Sequence, residues 1–284
     1  MKFLVVSVFL SFLSFAQSNT SSLLWEIQGP QQEKASYIFG TMHLMDKQHF
    51  YFPKKLEKII LEVDVVCLEI EDVLHTSLNP ELLFLPEGSF IAQLEQQKLD
   101  SLTNWAVKNL LMNKEQFIMN FSKAKSFLIY QLILQNELPS KLQSQEAKIE
   151  TMLEDKKKQK TIGLETVESQ LALFDSLPIS SQITLIMTEL ADLDNVEAHF
   201  NRLQENYLQN DVEAIHDALM KDIQDPYFNL KFIDERNASW VEKIIPMTAN
   251  QTVLFAVGAG HLGGENGLLN LLRKQGYSVK PIQL

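Results

Sequence analysis

The alternation of apolar and polar positions divides the chain into short buried runs near its two ends and long helical stretches between them. Residues 23–27 (Leu-Leu-Trp-Glu-Ile) and 36–41 (Ser-Tyr-Ile-Phe-Gly-Thr) read as two strands joined by a polar turn, Gly29-Pro30 to Lys34. Pro53 opens a helix in which Leu56, Ile59, Ile60 and Val63 recur at helical spacing. Val65-Val66-Cys67-Leu68-Glu69-Ile70 follows, a near-continuous apolar run of the kind a strand buried on both faces shows. Residues 80–160 hold few strand formers and many Leu, Gln, Glu and Lys, which predicts a helical insertion closing on the charged stretch 154–160. Strand character returns at Lys160-Thr161-Ile162-Gly163-Leu164-Glu165, and Thr166 is placed to cap a helix over 167–176. Helices are expected over 181–210, 212–221 and 229–246. The chain then closes with a buried strand (251–257), a helix (267–275) and a last strand (277–282).

The two ends repeat one another. Tyr37-Ile38-Phe39-Gly40-Thr41-Met42-His43 leads through a helix to the strand 65–70. Val253-Leu254-Phe255-Ala256-Val257-Gly258-Ala259-Gly260-His261 leads through a helix to the strand 277–282. Both units read strand, Gly-x-x-His, helix, strand. The expected fold is therefore α/β, or α+β. Its centre is a mixed, largely parallel sheet built from the two repeats, with large helical insertions.

The first eighteen residues change the picture at the N-terminus. Lys2 precedes an apolar stretch, 3–16, too short to span a bilayer, and Ser14-Phe15-Ala16 supplies small residues at a cleavable spacing. The expectation is a signal peptide over 1–18, followed by one domain over 19–284 that carries the insertion at about 80–160. The mature chain would be exported, periplasmic or secreted, with no later membrane span. Losing the charge of Lys2 takes the net charge from −11 to −12, an acidic balance that argues against nucleic acid as a partner. Cys67 is the single cysteine, so no intramolecular disulfide is available, which suits a periplasm better than a eukaryotic extracellular space.

Candidate chemistry gathers at the strand ends. A glycine there lets the backbone turn tightly or approach a ligand, and a histidine three residues on lies at the carboxyl edge of the sheet, where open α/β sheets bind ligands. His43 and His261 share this context; the histidines at 49, 75, 199 and 216 do not and read as surface residues. Glu69 and Glu165 each end an apolar strand, where an unpaired carboxylate is costly. Two acids and two imidazoles on one edge suit a divalent transition ion such as Mn²⁺, Zn²⁺, Co²⁺ or Fe²⁺. On the helix 229–246, Phe232, Ile233, Trp240, Val241 and Ile244 form an apolar face, and Arg236 and Asn237 fall in its middle. A guanidinium aimed at a core needs a carboxylate or an anion. Glu168 and Gln170 are weaker candidates.

At this point the chain resembles the TraB/GumN family. The resemblance is carried by Leu24-Trp25-Glu26-Ile27, both Gly-x-x-His segments, Val66-Cys67-Leu68-Glu69-Ile70, Gly163-Leu164-Glu165-Thr166-Val167-Glu168-Ser169-Gln170, Glu235-Arg236-Asn237-Ala238-Ser239-Trp240 and the glycines after His261. The family includes the Tiki metalloproteases and is related more distantly to erythromycin esterase-like and haem-binding ChaN-like proteins. The resemblance implies active-site roles for His43 and His261, site acids at Glu69 and Glu165, and Arg236 beside them. A Wnt substrate, which the membrane-anchored Tiki proteins act on, is not implied.

The expected activity is metal-dependent hydrolysis, foremost of a peptide or protein substrate. His43, His261 and Glu165 are the expected ligands of a Mn, Co or Zn ion and Glu69 the expected base, with the exchange of the two acids left open. Arg236 is expected to stabilise the tetrahedral intermediate and Asn237 to orient a neighbour. The alternatives are a haem-, iron- or peptide-binding protein without turnover and a small-molecule esterase.

Overall fold

The computed structural model describes residues 21–72, 74–75, 79–156, 161–223 and 225–284. The expected signal segment lies outside the described residues, as does most of the lysine-rich stretch before Thr161.

Among the described residues eight strands form: β1 (Leu24–Gln28), β2 (Ser36–Thr41), β3 (Met45–Asp46), β4 (Val65–Ile70), β5 (Leu142–Gln143), β6 (Ile162–Glu165), β7 (Val253–Gly258) and β8 (Ser278–Ile282). Six make one sheet in the order β6-β4-β7-β2-β1-β8, while β3 and β5 pair separately. Neighbours β6, β4, β7 and β2 run parallel, and β1 lies antiparallel between β2 and β8. The sheet is thus mixed and largely parallel, as the repeat predicts.

The two repeat strands β2 and β7 are hydrogen-bonded neighbours at the middle of the sheet, with Gly40 opposite Val257 and Thr41 opposite Gly258. Every residue of β7 is buried, which explains its unbroken apolar sequence. Phe39 and Phe255 are fully enclosed. Truncating such a ring costs about 3–5 kcal/mol, so the two strands anchor the core. Because both end at the same edge, residues 218 positions apart in the chain are delivered to one place.

Helix α1 (Lys54–Glu62) starts after Pro53 and buries Leu56, Ile59 and Ile60. The helices that follow are α2 (Gln96–Asn109), α3 (Lys114–Phe121), α4 (Ser126–Glu137) and α5 (Gln145–Asp155). Beyond β6 come α6 (Val167–Ser176), α7 (Ile179–Ala191), α8 (Val196–Leu208) and α9 (Val212–Asp222). A short α10 (Pro226–Asn229) runs through a π turn (Leu230–Asp234) into α11 (Glu235–Met247), and α12 (Leu268–Lys274) precedes β8. No single helix among the described residues is long and apolar enough to cross a bilayer.

Two hydrophobic clusters are buried. One surrounds the sheet, and the other joins α2, α3, α4, α6 and α7 through residues such as Trp105, Phe117, Ile133, Phe174 and Ile186. This redraws the insertion expected at 80–160. Helix α5 returns to the sheet, where Ile149 and Leu153 join the first cluster, whereas α6 and α7 pack in the second.

The single helix expected over 181–210 is two, broken at Asp192 with a 3-10 turn at Leu193–Asn195. There Asn195 Nδ2 donates to Asp192 Oδ1 at 2.6 Å, and this local bond competes with the helical pattern.

Candidate active site

The site lies at the carboxyl edge of β4 and β7, and the amide of Gly258 fixes its centre by donating to Glu69 Oε1 at 2.8 Å. That same oxygen is 3.7 Å from His43 Nε2 and 4.0 Å from His261 Nε2. The imidazoles of the two Gly-x-x-His units therefore converge on one carboxylate, as the repeat implies.

Each imidazole is held from behind. His43 Nδ1 donates to Glu146 Oε1 at 2.8 Å, and that carboxylate also accepts from Thr41 Oγ1 (2.5 Å) and Ser144 Oγ (2.9 Å). His261 Nδ1 donates to Asn237 Oδ1 at 2.8 Å, and the Asn237 amide donates to the carbonyls of Asn266 (2.9 Å) and His261 (3.3 Å). With Nδ1 of each ring tied to an oxygen, both Nε2 atoms are turned toward Glu69. Oxygens bonded to the far nitrogen orient metal-binding histidines in this way.

Glu146 was invisible in the sequence. It stands in the first turn of α5 after the capping Ser144, where an acid is routine, and the fold turns it inward. Its neighbour Gln145, fully buried, bonds to the Met42 amide, the Tyr51 carbonyl and the Tyr207 hydroxyl, so α5 clamps the whole His43 turn. Nothing in the local pattern marks these two residues.

Arg236 ties the centre to Glu165. Its Nη2 donates to Glu69 Oε2 at 2.5 Å, and its Nε is 3.1 Å from both oxygens of Glu165. Nη1 donates to the Phe232 carbonyl at 3.2 Å and to His261 Nε2 at 3.1 Å, and Nη2 also lies 3.1 Å from Glu165 Oε2. The three side chains are only 8–10 % exposed, so the guanidinium offsets two buried carboxylates. The π turn contributes, because its altered register presents the Phe232 carbonyl to Arg236.

Two expectations change here. The acid between the imidazoles is Glu69, whereas Glu165 sits across the guanidinium, bonded to Arg236 and to Trp240 Nε1 at 2.8 Å. The guanidinium of Arg236 is directed at the two glutamates, His261 and the Phe232 carbonyl. Gln170 does reach the centre, donating to Glu69 Oε2 at 3.3 Å, while Glu168 stays exposed. Of the remaining histidines, 49 and 75 are exposed. His216, read as a surface residue, is half-buried beneath the second turn, its Nδ1 3.0 Å from the Gly260 carbonyl.

Charge follows from this wiring. Burial opposes ionisation of Glu69, but His43, His261, Arg236 and the Gly258 amide outweigh it and hold the carboxyl near 2. Burial likewise opposes ionisation of Glu146, and its bonds to His43 and Thr41 hold it near 2. Burial, with Arg236 beside the ring, pushes His261 down to about 3, so its Nε2 is a free base at neutral pH. Burial works against protonating His43 too, yet its side chain is 60 % exposed, and the carboxylates of Glu146 and Glu69 raise it to about 9. A cation binding there displaces a proton from it.

The glycines of the two units do different work. A Cβ on Gly258 would lie 3.2 Å from His43 Nε2, 3.3 Å from Glu69 Oε1 and 3.6 Å from His261 Cδ2. It would fill the space between the three candidate donors. A Cβ on Gly40 would instead meet Ala259 and Leu262 at 3.0–3.1 Å, inside the core.

The donor set suits a divalent ion in kind. Atoms each about 2.1 Å from one ion are at most about 4.2 Å apart, and the two imidazole–Glu69 separations satisfy that limit. No ready-made group of three ligands stands among the described residues, and Arg236 Nη1 rests on the lone pair of His261 that an ion needs.

Residues 23–281 match the TraB/PrgY/gumN family. The chain is similar to Metalloprotease TIKI1 of Danio rerio, 22 % identical over 93 % of this chain and 64 % of that protein. It is equally similar to Metalloprotease TIKI2 of Danio rerio, with 93 % and 62 % covered. A shorter match, 31 % identical over 26 % of this chain and 13 % of the relative, is to Metalloprotease TIKI homolog of Amphimedon queenslandica. The chain thus spans less than two thirds of the length of these relatives. No solved structure matches. On the match over residues 23–281, the chain belongs to the TraB/PrgY/gumN family.

Proposed function

We propose that the chain is an exported, metal-dependent hydrolase that cleaves a peptide or protein substrate. The observation that carries this reading is the convergence of His43 Nε2 and His261 Nε2 on Glu69 Oε1. Relatives named as metalloproteases support the reaction class. Export rests on the apolar stretch that follows Lys2.

His43, His261 and Glu69 are the residues assigned to hold the ion, Mn, Co or Zn. A divalent ion in such a site supplies an activated water and polarises the carbonyl under attack. Glu146 and Asn237 hold Nδ1 of the two rings, which leaves His261 Nε2 a base and turns His43 Nε2 toward Glu69, where a binding cation would displace its proton. Arg236 helps hold Glu69 ionised in a nearly dry setting, and Glu165 with Trp240 holds the guanidinium in place. Arg236, Asn237, Glu146 and Glu165 are positioning residues in this account.

The test is cleavage of a peptide library with Mn²⁺, Co²⁺ or Zn²⁺, before and after chelation. Chelator-sensitive cleavage that disappears in a His43→Ala, His261→Ala double variant is expected. Equal cleavage by that variant would overturn the reading.

A second reading draws on the His43–Glu146 pair. A solvent-open imidazole backed by a buried carboxylate can pass a proton to a leaving group without an ion, as in hydrolysis of a small ester. Turnover of small esters that survives chelation would favour it.

A further inference from the structure

Beside the site lies an apolar pocket of about 270 Å³. Phe127 on α4, Val167, Leu171 and Leu173 on α6, and Phe232 on the π turn line it, and Gln170 and Arg236 complete its wall. Those two polar residues also touch the reaction centre, at 3.3 and 2.5 Å from Glu69 Oε2. The pocket therefore shares two wall residues with the centre at Glu69.

Its walls are fixed in place. Phe232 stacks on Phe228 with ring centroids 4.1 Å apart and meets the edge of buried Phe174 at 5.9 Å. Phe127 meets the same Phe174 ring at 5.5 Å.

Size and charge narrow the occupant. A cavity of about 150 Å³ already admits benzene, whereas sites for whole drug-sized molecules start near roughly 300 Å³. The volume here suits one large side chain. An acidic side chain is the rival, because Arg236 forms part of the wall. The carboxylates of Glu69 and Glu165 already flank the guanidinium, so an acidic side chain entering the pocket would meet two like charges.

We infer that this pocket receives a large apolar side chain (Phe, Leu or Met) from the substrate residue flanking the hydrolysed bond. The inference rests on peptide hydrolysis at His43, Glu69 and His261. It adds a specificity determinant made jointly by the second hydrophobic cluster and the catalytic edge of the sheet.

The experiment uses the full chain with Mn²⁺ or Co²⁺ and peptides that differ only at the residues flanking the cleaved bond. At one flanking position, kcat/KM for Phe should exceed that for Ala and Asp by about tenfold or more. Val167→Trp, which fills the pocket, should lower the Phe-to-Ala ratio by about tenfold, and Phe127→Ala, which widens it, should shift preference toward Trp. Thermal melts check that both variants fold. Unchanged ratios in both folded variants, or equal cleavage of Phe, Ala and Asp peptides, would overturn the inference and leave the hydrolase reading intact.

If no peptide is cleaved with any ion, the hydrolase reading fails. The same peptides then serve as ligands in calorimetry. Tighter binding of the Phe peptide than the Asp peptide, weakened in Val167→Trp, supports the pocket, and equal binding overturns it.

Discussion

Glu146 Oε1 lies 2.8 Å from His43 Nδ1, although 103 residues separate the two in the chain. The contact joins the first Gly-x-x-His turn to α5, and it makes His43 the partner of a buried carboxylate instead of a free loop imidazole. It also sets the two histidines apart, because His261 has a neutral amide oxygen, from Asn237, in the corresponding place.

Glu146→Gln tests this contact. The amide keeps the shape and removes the charge that orients His43, and loss of such a partner typically costs about 10–100-fold in metal affinity or activity. A fall of that size in ion affinity by calorimetry, with the fold retained, is the expected outcome. Unchanged affinity would reduce Glu146 to a structural residue.

Gly258→Ala and Gly40→Ala should separate function from stability. Gly258 has φ −51° and ψ 131°, which alanine adopts freely, so the backbone is not strained. Its methyl would crowd the Glu69 and His43 donor atoms, and ion binding should fall while Tm changes little. The Gly40 methyl enters the packed core against Ala259 and Leu262 and should destabilise by about 1–3 kcal/mol. Denaturation and metal titration of the two variants, side by side, check the contrast; equal effects on both would refute it.

Much of this centre is legible in the sequence, for identifiable reasons. The strand expected over 251–257 is legible because nothing polar interrupts Val253 to Val257, and all six residues of β7 are buried. Arg236 and Asn237 stand out because a helix cannot leave such groups on an apolar face without partners. Long-range packing is what the sequence withholds. Glu69 and Glu165 look alike as strand-end acids, and only the fold shows that one faces the imidazoles and the other the far side of a guanidinium. Gln145 and Glu146 look like an ordinary first helical turn, and only the docking of α5 turns them inward.

Arg236→Met should be among the most damaging single changes. It would leave Glu69 and Glu165 buried without their cation, and breaking a buried pair by removing one partner costs about 3–5 kcal/mol. Chemical denaturation should show a loss in that range. A loss below about 1 kcal/mol would mean that the two carboxylates are hydrated or protonated in solution.

The most direct measurement of the central claim is the metal content of the purified full chain, by elemental analysis, for wild type, His43→Ala and His261→Ala. If the two histidines share one ion with Glu69, wild type carries about one equivalent of a transition metal and each single variant loses it. Retention of the full equivalent by either variant would contradict the shared site.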